Sequence, residues 1–159
     1  MRIFQMAANR TVQAYEVYRE VYTREWNRLP WPPSPFAANM DGTGKFPWSP
    51  LDLGCGVGQD SRHLRRNKYH VIAVDLTWSF LQIAYKPSLR LPSVESDIHD
   101  LRFKDQTFDG IWTAASLIHG RKSRFPGVLG RLRSLVKPGG LLGATLNHGR
   151  KSGYFKNNG

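Results

Sequence analysis

The feature that most constrains this chain is a glycine-rich stretch that follows a short apolar segment. It reads Leu51-Asp52-Leu53-Gly54-Cys55-Gly56-Val57-Gly58, and helical character begins at Gln59. A strand, a glycine turn and a helix in this order present backbone N–H groups to a nucleotide-like ligand in α/β folds. Glycine allows unusual backbone angles, and its missing side chain lets a ligand approach the main chain. The stretch therefore predicts an α/β sheet with a ligand site at its first turn.

Two common nucleotide-binding motifs do not fit this stretch. A dinucleotide motif requires glycine at the sixth position counted from Gly54, where the chain has Gln59. Asp52 would repel a pyrophosphate and suits a ligand that carries a cationic amino group. A P-loop is excluded because no Gly-Lys-Ser/Thr sequence follows. A glycine turn that binds no ligand is the alternative that remains.

The composition is that of a single domain. The chain has 159 residues, of which 40% are apolar, and this length suffices for one buried core. No apolar run is long enough to cross a membrane, and the N-terminus lacks the apolar core of a signal peptide. The one cysteine, Cys55, cannot form an internal disulfide, which favours a reducing, cytoplasmic location. Cys55 is interpreted as a small residue that fits the turn rather than as a nucleophile.

The charge is strongly positive and unevenly distributed. The net charge is +11, and no acidic residue follows Asp109. Such a region attracts anions, including RNA, acidic lipid and phosphorylated or carboxylated substrates. A basic surface without a partner explains the composition equally well. The nine cationic residues after Asp109 are Arg121, Lys122, Arg124, Arg131, Arg133, Lys137, Arg150, Lys151 and Lys156.

Residues 9–29 have helical periodicity, with aromatic residues at three- and four-residue steps. The aromatic residues are Tyr15, Tyr18, Tyr22 and Trp26. Such a stripe usually packs into a core, but an N-terminal helix in this type of fold also covers the ligand cleft. All four aromatic residues are therefore candidates to line a substrate pocket, and Tyr18 and Tyr22 are the predicted substrate-side residues. The proline-rich connection that follows, residues 30–48, is expected to be held against the sheet by Trp31, Phe36, Phe46 and Trp48.

Strands alternate with helices through residues 49–146, which predicts a parallel, three-layered, Rossmann-like α/β sheet of order 3-2-1-4-5. The helix 124–136 is expected to direct Val128, Leu129, Leu132, Leu135 and Val136 inward. The chain is thus predicted to be one domain, with an N-terminal helical cap (1–29), the connection, this core and a flexible tail (147–159). The predicted strands are 49–53, 70–75, 94–96, 108–113 and 141–146, and a further helix is predicted at 78–85.

Several segments together carry a resemblance to one enzyme family. The glycine stretch resembles motif I of class I S-adenosylmethionine-dependent methyltransferases, which reads apolar-Asp/Glu-apolar-Gly-x-Gly-x-Gly. Ala73-Val74-Asp75-Leu76 resembles the acidic end of strand 2 in that family, and Ser96-Asp97-Ile98 resembles the end of strand 3. Residues 108–119 resemble strand 4 with its loop, and residues 135–142 the turn before strand 5. The likeness is greatest to the type 11 methyltransferase branch.

The resemblance implies S-adenosylmethionine as the cofactor. It implies that Asp52 holds the methionine amino group and that the glycine turn contacts the methionyl and ribose portions. Asp75 would accept hydrogen bonds from the ribose hydroxyls, and Asp97 with the Ile98 backbone would bind adenine. The implied cofactor-binding residues are Asp52, Gly54, Cys55, Gly56, Gly58, Asp75, Leu76, Asp97, Ile98 and Thr113.

The methyl acceptor is less constrained, and a small-molecule O, N or C nucleophile is the leading hypothesis. The Asn/Asp-Pro-Pro-Tyr motif of exocyclic-amine methyltransferases is absent, since Thr113-Ala114-Ala115-Ser116 stands after strand 4. His119 is a weak candidate for a general base because histidine titrates near neutrality, although a surface histidine is equally compatible. Ser116 is a further substrate-side candidate, and no metal site is predicted. An RNA-directed methyltransferase and a non-catalytic module that binds S-adenosylmethionine or nucleic acid remain alternatives.

One departure from the family concerns the end of the sheet. Members of the family continue past strand 5 into a helix and an antiparallel hairpin, whereas this sequence ends at Gly159. Strand 5 is therefore expected to be an exposed edge, which favours either a fragment or a homodimer that pairs along this edge.

Overall fold

The structure is a computed structural model that describes residues 11–28, 36, 39–40, 47–85, 91–120 and 122–146, without the side chains of 26–28. The predictions made for the side chain of Trp26, for Trp31 and Phe46, for Arg121 and for the tail 147–159 lie outside these residues.

Five strands form one parallel sheet in the order β3-β2-β1-β4-β5, and the predicted order is confirmed. The central strand β1 is buried along its whole length because helices cover both faces of the sheet. Asp52 pairs with Ala73 on one side and Trp112 on the other. The strands are β1 (Pro50–Leu53), β2 (Ile72–Asp75), β3 (Ser93–Glu95), β4 (Phe108–Ala114) and β5 (Val136–Thr145).

Helices follow β1, β2 and β4, whereas residues 96–107 between β3 and β4 contain no helix, so the predicted alternation holds for three of the four connections. Residues 11–17 are helical and a turn at Tyr18 separates them from α1. The remaining helices are α1 (Arg19–Arg28), α2 (Gln59–Arg66), α3 (Trp78–Ala84) and α4 (Phe125–Leu135), with 3-10 turns at Leu117–His119 and Lys122–Arg124.

Two apolar clusters lie on opposite faces of the sheet. One contains Leu64 of α2 and Leu81 of α3 together with Trp48 and Phe36. The other contains Leu132 of α4 with the side chains of Leu51, Leu53, Val74, Phe108 and Ile111 from the strands. This arrangement confirms the three layers. It also confirms that Phe36 and Trp48 anchor the proline-rich connection, since both side chains are buried.

Two details differ from the sequence prediction. Strand β5 begins at Val136 rather than at residue 141, because residues 137–140 form an irregularity within the strand instead of a separate turn. The Lys137 ammonium donates to Asp109 at 2.9 Å and holds this irregularity against β4. Leu129, expected to face inward, is 36% exposed because Val128, Leu132 and Leu135 already form the buried face of α4.

β5 lies at the edge of the sheet, with β4 as its only strand neighbour among the described residues. Leu142 on this strand is exposed. Pairing of two copies along this edge stays a prediction. Within the described part of the chain, no helix has the length and apolar character needed to span a bilayer.

Candidate functional site

The glycine loop between β1 and α2 has a conformation that favours glycine. Gly54, Gly56 and Gly58 have φ angles of +74°, +52° and +75°, a region that other residues rarely adopt. The backbone N–H groups of Gly54 and Cys55 both donate to the Val74 carbonyl, at 2.7 and 2.9 Å. These bonds tie the loop to β2 and place it at the carboxyl edge of the sheet.

The three glycines have different surroundings. A Cβ atom at Gly54 would lie 2.2 Å from the Ser116 Cβ, and one at Gly58 would lie 2.6 Å from the Ala84 Cβ. A Cβ atom at Gly56 would meet only the Tyr22 ring, at 3.7 Å. Gly54 and Gly58 therefore allow close packing of the protein on itself. Gly56 instead leaves its backbone open toward the cleft, where a ligand can approach it.

Asp75 at the end of β2 organises this open part of the loop. Its Oδ2 accepts a hydrogen bond from the Gly56 N–H and its Oδ1 accepts one from the Thr77 N–H, both at 2.8 Å. Burial raises the pKa of Asp75, and these N–H bonds partly oppose that effect. Each carboxylate oxygen has a further lone pair, so the side chain retains capacity to accept hydroxyl groups of a ligand. Leu76, which follows it, is partly buried.

Asp97 and Ile98 lie in the loop after β3, and both are partly buried. The Asp97 Oδ1 accepts from the His99 N–H at 2.9 Å, which orders the loop. Among the described residues, no donor forms a hydrogen bond to the other carboxylate oxygen of Asp97. Asp97 is thus able to accept a hydrogen bond from an amino group such as that of adenine.

Asp60 provides a second carboxylate beside the loop, in addition to Asp52, and it was not predicted from the sequence. Asp52 is 1% exposed and accepts a 2.5 Å hydrogen bond from the Ser61 hydroxyl. Asp60, in the first turn of α2, accepts a hydrogen bond from the Trp112 indole N–H. The pKa of Asp52 lies well above its usual range. Burial is the main cause, and the charge of Asp60 adds to it. Burial raises the pKa of Asp60 to about 6, against the opposing effect of the Trp112 bond.

An aromatic cluster covers the open side of the loop. The Tyr15 ring contacts Tyr22 and Phe80 edge-on at 5.4 Å, and Tyr22 stacks on Phe80 at 5.0 Å. His119 joins this cluster, since its Nε2 atom lies 2.9 Å from the Tyr15 hydroxyl oxygen. The structure thus brings together two predicted substrate-side residues, Tyr22 and His119, with Tyr15. Tyr18 lies apart from them on another face of the helical segment, and it is 63% exposed.

Three further predicted residues make contacts within the protein. Thr113 is fully buried, and its hydroxyl oxygen lies 2.8 Å from that of Ser116. Ser116 donates to the Leu53 carbonyl at 2.7 Å and so fixes the loop after β4 against β1. Cys55 is buried, and this burial is the main reason that the pKa of its thiol lies well above the usual range. A thiol that resists ionisation fits the interpretation of Cys55 as a small packing residue.

The family is decided by a match over the part of the chain that forms this site. Residues 51–140, more than half of the chain, match the sequence model of the Methyltransferase domain family. This chain belongs to that methyltransferase family. The predictions of a class I S-adenosylmethionine-dependent methyltransferase and of its cofactor are therefore confirmed at the level of the family.

Relatives of this methyltransferase domain differ in what they methylate. The chain is 37% identical over 100 residues to a malonyl-[acyl-carrier protein] O-methyltransferase of Erwinia pyrifoliae, covering 62% of this chain and 37% of that protein. It is 28% identical over 100 residues to a sterol 24-C-methyltransferase of Neurospora crassa, covering 58% and 26%. The chain thus spans well under half the length of these two relatives.

A solved structure supports the fold of the methyltransferase domain. The Burkholderia thailandensis 1,6-didemethyltoxoflavin-N1-methyltransferase, solved with S-adenosylhomocysteine bound, superimposes with a TM-score of 0.64 at 24% identity. The superposition covers 86% of this chain and 60% of that protein.

The residues of this methyltransferase domain fit the cofactor of its family. The cradle above Gly56 is open, and the Asp75 and Asp97 carboxylates can accept hydroxyl and amino hydrogens. Asp52 and Asp60 supply negative charge beside the loop, which suits a ligand with an ammonium group. The direct assignment of each of these residues to a part of the cofactor stays a prediction. Among the described residues, no group of three or more His, Cys, Asp or Glu side chains is arranged to hold a metal ion.

Proposed function

We propose that the chain is a methyltransferase domain that transfers a methyl group from S-adenosylmethionine to an oxygen, nitrogen or carbon nucleophile of a small molecule. The observation that carries this proposal is the contact between Tyr15 and His119 beside the open face of the glycine loop. Tyr22, which packs on Tyr15, is also the side chain nearest to the Cβ position of Gly56. The aromatic cluster therefore lies where an acceptor would have to approach the cofactor.

Methyl transfer requires mainly that the nucleophile be aligned with the bond that breaks, and alignment supplies a large part of the rate enhancement. When bound, the cofactor supplies an electrophilic methyl group on a sulfonium. Tyr15, Tyr22 and Phe80 form an apolar wall that can orient an acceptor and exclude water. Which acceptors are methylated depends on what this aromatic wall and the neighbouring His119 can bind.

His119 is suited to remove a proton from the acceptor. Loss of solvent around its ring lowers the pKa of His119, against a smaller opposing effect of Asp75, so the neutral imidazole predominates at neutral pH. The proton reaches Nε2 directly if the acceptor displaces the Tyr15 hydroxyl, or through that hydroxyl if it does not. An oxygen or nitrogen nucleophile that carries a proton uses this base, whereas a carboxylate does not need one.

The relatives support this breadth of acceptor. Their names describe one O-methyltransferase, one 24-C-methyltransferase and one N1-methyltransferase. We infer that the cofactor half of the site is shared and that the aromatic side differs. A cytoplasmic location, suggested by the single cysteine, belongs to this proposal as well.

Two measurements test the proposal. Calorimetric titration with S-adenosylmethionine and S-adenosylhomocysteine should show binding of both. Radiolabelled S-adenosylmethionine should then transfer label to components of a small-molecule extract. His119→Ala should keep cofactor affinity and lose transfer, while the exposed control His70→Ala should keep both. Transfer at the wild-type rate by His119→Ala would remove His119 from the mechanism, and absence of cofactor binding would contradict the proposal itself.

An RNA acceptor is a second candidate, favoured by the exposed cations Lys122, Arg124 and Arg133, which follow the loop after β4. Internal ion pairs weaken this case, because Arg131 pairs with Asp105 at 2.5 Å and Lys137 with Asp109 at 2.9 Å.

A filter-binding series with total RNA across salt concentrations decides this case. If RNA binds, log affinity should fall linearly with log salt, because neutralised phosphates release counterions. Charge reversal at Lys122 and Arg124 should flatten that slope, and Asp97→Ala should not. No binding even at low salt would leave the small-molecule acceptor.

A further inference from the structure

Residues 96–107, which join β3 to β4, form a connection without a helix or strand, and Asp97 lies at its start. The first part of this connection is a compact turn. The Asp97 Oδ1 atom accepts from the His99 N–H at 2.9 Å, and the Asp97 carbonyl accepts from the Asp100 N–H at 2.9 Å. Because these bonds tie residues 97–100 to one another, the position of the Asp97 carboxylate depends on how the residues after the turn are held.

The guanidinium group of Arg131 on α4 holds the residues that follow this turn. Its Nε and Nη2 atoms donate to the Leu101 carbonyl at 3.1 and 2.9 Å, and Nη2 also donates to the Phe103 carbonyl. Its Nη1 atom pairs with Asp105 at 2.5 Å and donates to the Ser134 hydroxyl at 3.0 Å. A planar group with five N–H donors in fixed directions can bridge several acceptors of one loop, whereas a lysine ammonium acts as a single point charge.

Side-chain packing alone does not fix the turn against α4. A cavity of about 340 Å³ lies between them, lined by Ile98 and His99 from the turn and by residues of α4 that include Val128 and Arg131. Leu101 is buried in the apolar cluster on this face of the sheet and anchors the chain just after the turn. The bonds from Arg131 therefore set the direction in which the turn leaves this anchor, because close-packed side chains do not fill the space behind it.

We propose that Arg131 is a positioning residue for the cofactor, which holds the Asp97 carboxylate where it can accept the amino group of adenine. The inference rests on the proposed function and on the predicted role of Asp97, and it deepens both. The second carboxylate oxygen of Asp97 has no donor within the part of the chain that the structure describes, so it is free for this bond. Hydrogen bonds weaken steeply when their angle is poor, so a small displacement of the turn should impair recognition of the amino group more than the other cofactor contacts.

The choice between two purine rings measures the position of the turn. S-adenosylhomocysteine and S-inosylhomocysteine differ only in the six-membered ring, where the inosyl compound has a carbonyl oxygen in place of the amino group and a hydrogen on N1. Calorimetric titration of the whole chain with each compound gives two dissociation constants, and their ratio is the discrimination. The wild type should bind the inosyl compound at least about tenfold more weakly, since a hydrogen bond to a charged group is lost.

Two variants and one control assign the effect to Arg131. Arg131→Gln should lower the discrimination at least about threefold, because the bond to the amino group is misaligned rather than removed. Arg131→Lys keeps the charge without the planar fork and should lower it by a smaller factor. Arg133→Gln, which removes an exposed cation of the same helix, should leave it unchanged.

The ratio distinguishes positioning from a general loss of stability. Partial unfolding weakens the apparent affinity for both compounds by the same factor, which cancels in the ratio. In an Asp97→Ala background, Arg131→Gln should not change the ratio further, because both substitutions act on the same contact.

The outcomes separate this inference from the proposed function. Absence of S-adenosylhomocysteine binding overturns both. Binding without discrimination by the wild type overturns only the inference, as does wild-type discrimination by a folded Arg131→Gln or an equal effect of this substitution in the Asp97→Ala background. If circular dichroism shows that Arg131→Gln does not fold, Arg131→Lys decides, and discrimination equal to that of the wild type overturns the inference.

Discussion

The hydroxyl of Tyr15 lies 2.9 Å from Nε2 of His119, although 104 positions separate the two residues. The contact joins the N-terminal helical region to the loop after β4 across the mouth of the glycine loop. Tyr15 also packs against Tyr22 and Phe80, so it holds both sides of the cleft in contact. Under the proposed function, an acceptor that reaches the cofactor is expected to contact this cluster.

The first prediction concerns the protonation of His119. NMR titration should give His119 a pKa below 6.5, because burial disfavours the imidazolium. Asp75→Asn should lower it further, since the Asp75 charge opposes the effect of burial. Tyr15→Phe should change the ¹⁵N shift of Nε2, while the resonances of exposed His70 stay in place. A pKa above 6.5 would contradict the assignment of His119 as a neutral base.

The second prediction concerns Asp75. Asp75→Ala should weaken S-adenosylmethionine binding by roughly 1.5–3 kcal/mol, the range for hydrogen bonds to a charged group. The same change leaves the Gly56 and Thr77 N–H groups without their acceptor, so some loss of stability is also expected. Asp75→Asn retains one carbonyl oxygen and should lose less affinity. An unchanged dissociation constant in a folded Asp75→Ala protein would show that the ribose is bound elsewhere.

The third prediction contrasts two glycines of the same loop. Both Gly54→Ala and Gly56→Ala introduce a side chain at positive φ, at a strain of about 1–2 kcal/mol. Gly54→Ala also places a Cβ atom 2.2 Å from Ser116 and should lower the free energy of unfolding by a further 1–3 kcal/mol, roughly the cost of overpacking.

Gly56→Ala meets only Tyr22, at 3.7 Å, and should retain the fold while it loses cofactor affinity. Chemical denaturation and calorimetry measure the two effects. Equal loss of stability in both variants would contradict the distinction between packing and ligand-facing glycines.

The fourth prediction concerns stability against pH. Burial raises the folded-state pKa of Asp60 from 3.8 to about 6, so the folded protein binds more protons than the unfolded chain between these values. Stability should therefore fall as pH rises through this window, by up to about 3 kcal/mol from this group. Asp60→Asn should flatten the slope in urea denaturation between pH 4 and 7, and a slope equal to that of the wild type would contradict the pKa.

The local pattern of residues was enough to predict the sheet and the place of the glycine loop at its carboxyl edge. The glycine spacing, the β-branched run before Asp75 and the alternation of strands with helices are short-range features, and each constrains backbone conformation directly. Parallel strands with crossovers bring their carboxyl ends to one edge, so Asp52, Asp75 and the glycine loop had to lie near one another.

The aromatic cluster with His119 and the surroundings of Asp60 were decided by tertiary structure. Tyr15 rather than Tyr18 contacts His119, because Tyr15 and Tyr22 share the helix face that packs on the cleft whereas Tyr18 is exposed to solvent. In the sequence Asp60 is an ordinary polar residue at a helix start, and only the tertiary structure brings its carboxylate to the Trp112 indole N–H of β4. The irregular start of β5 depends likewise on the bond from Lys137 to Asp109. Contacts between residues distant in sequence set burial and charge, and local periodicity carries no information about either.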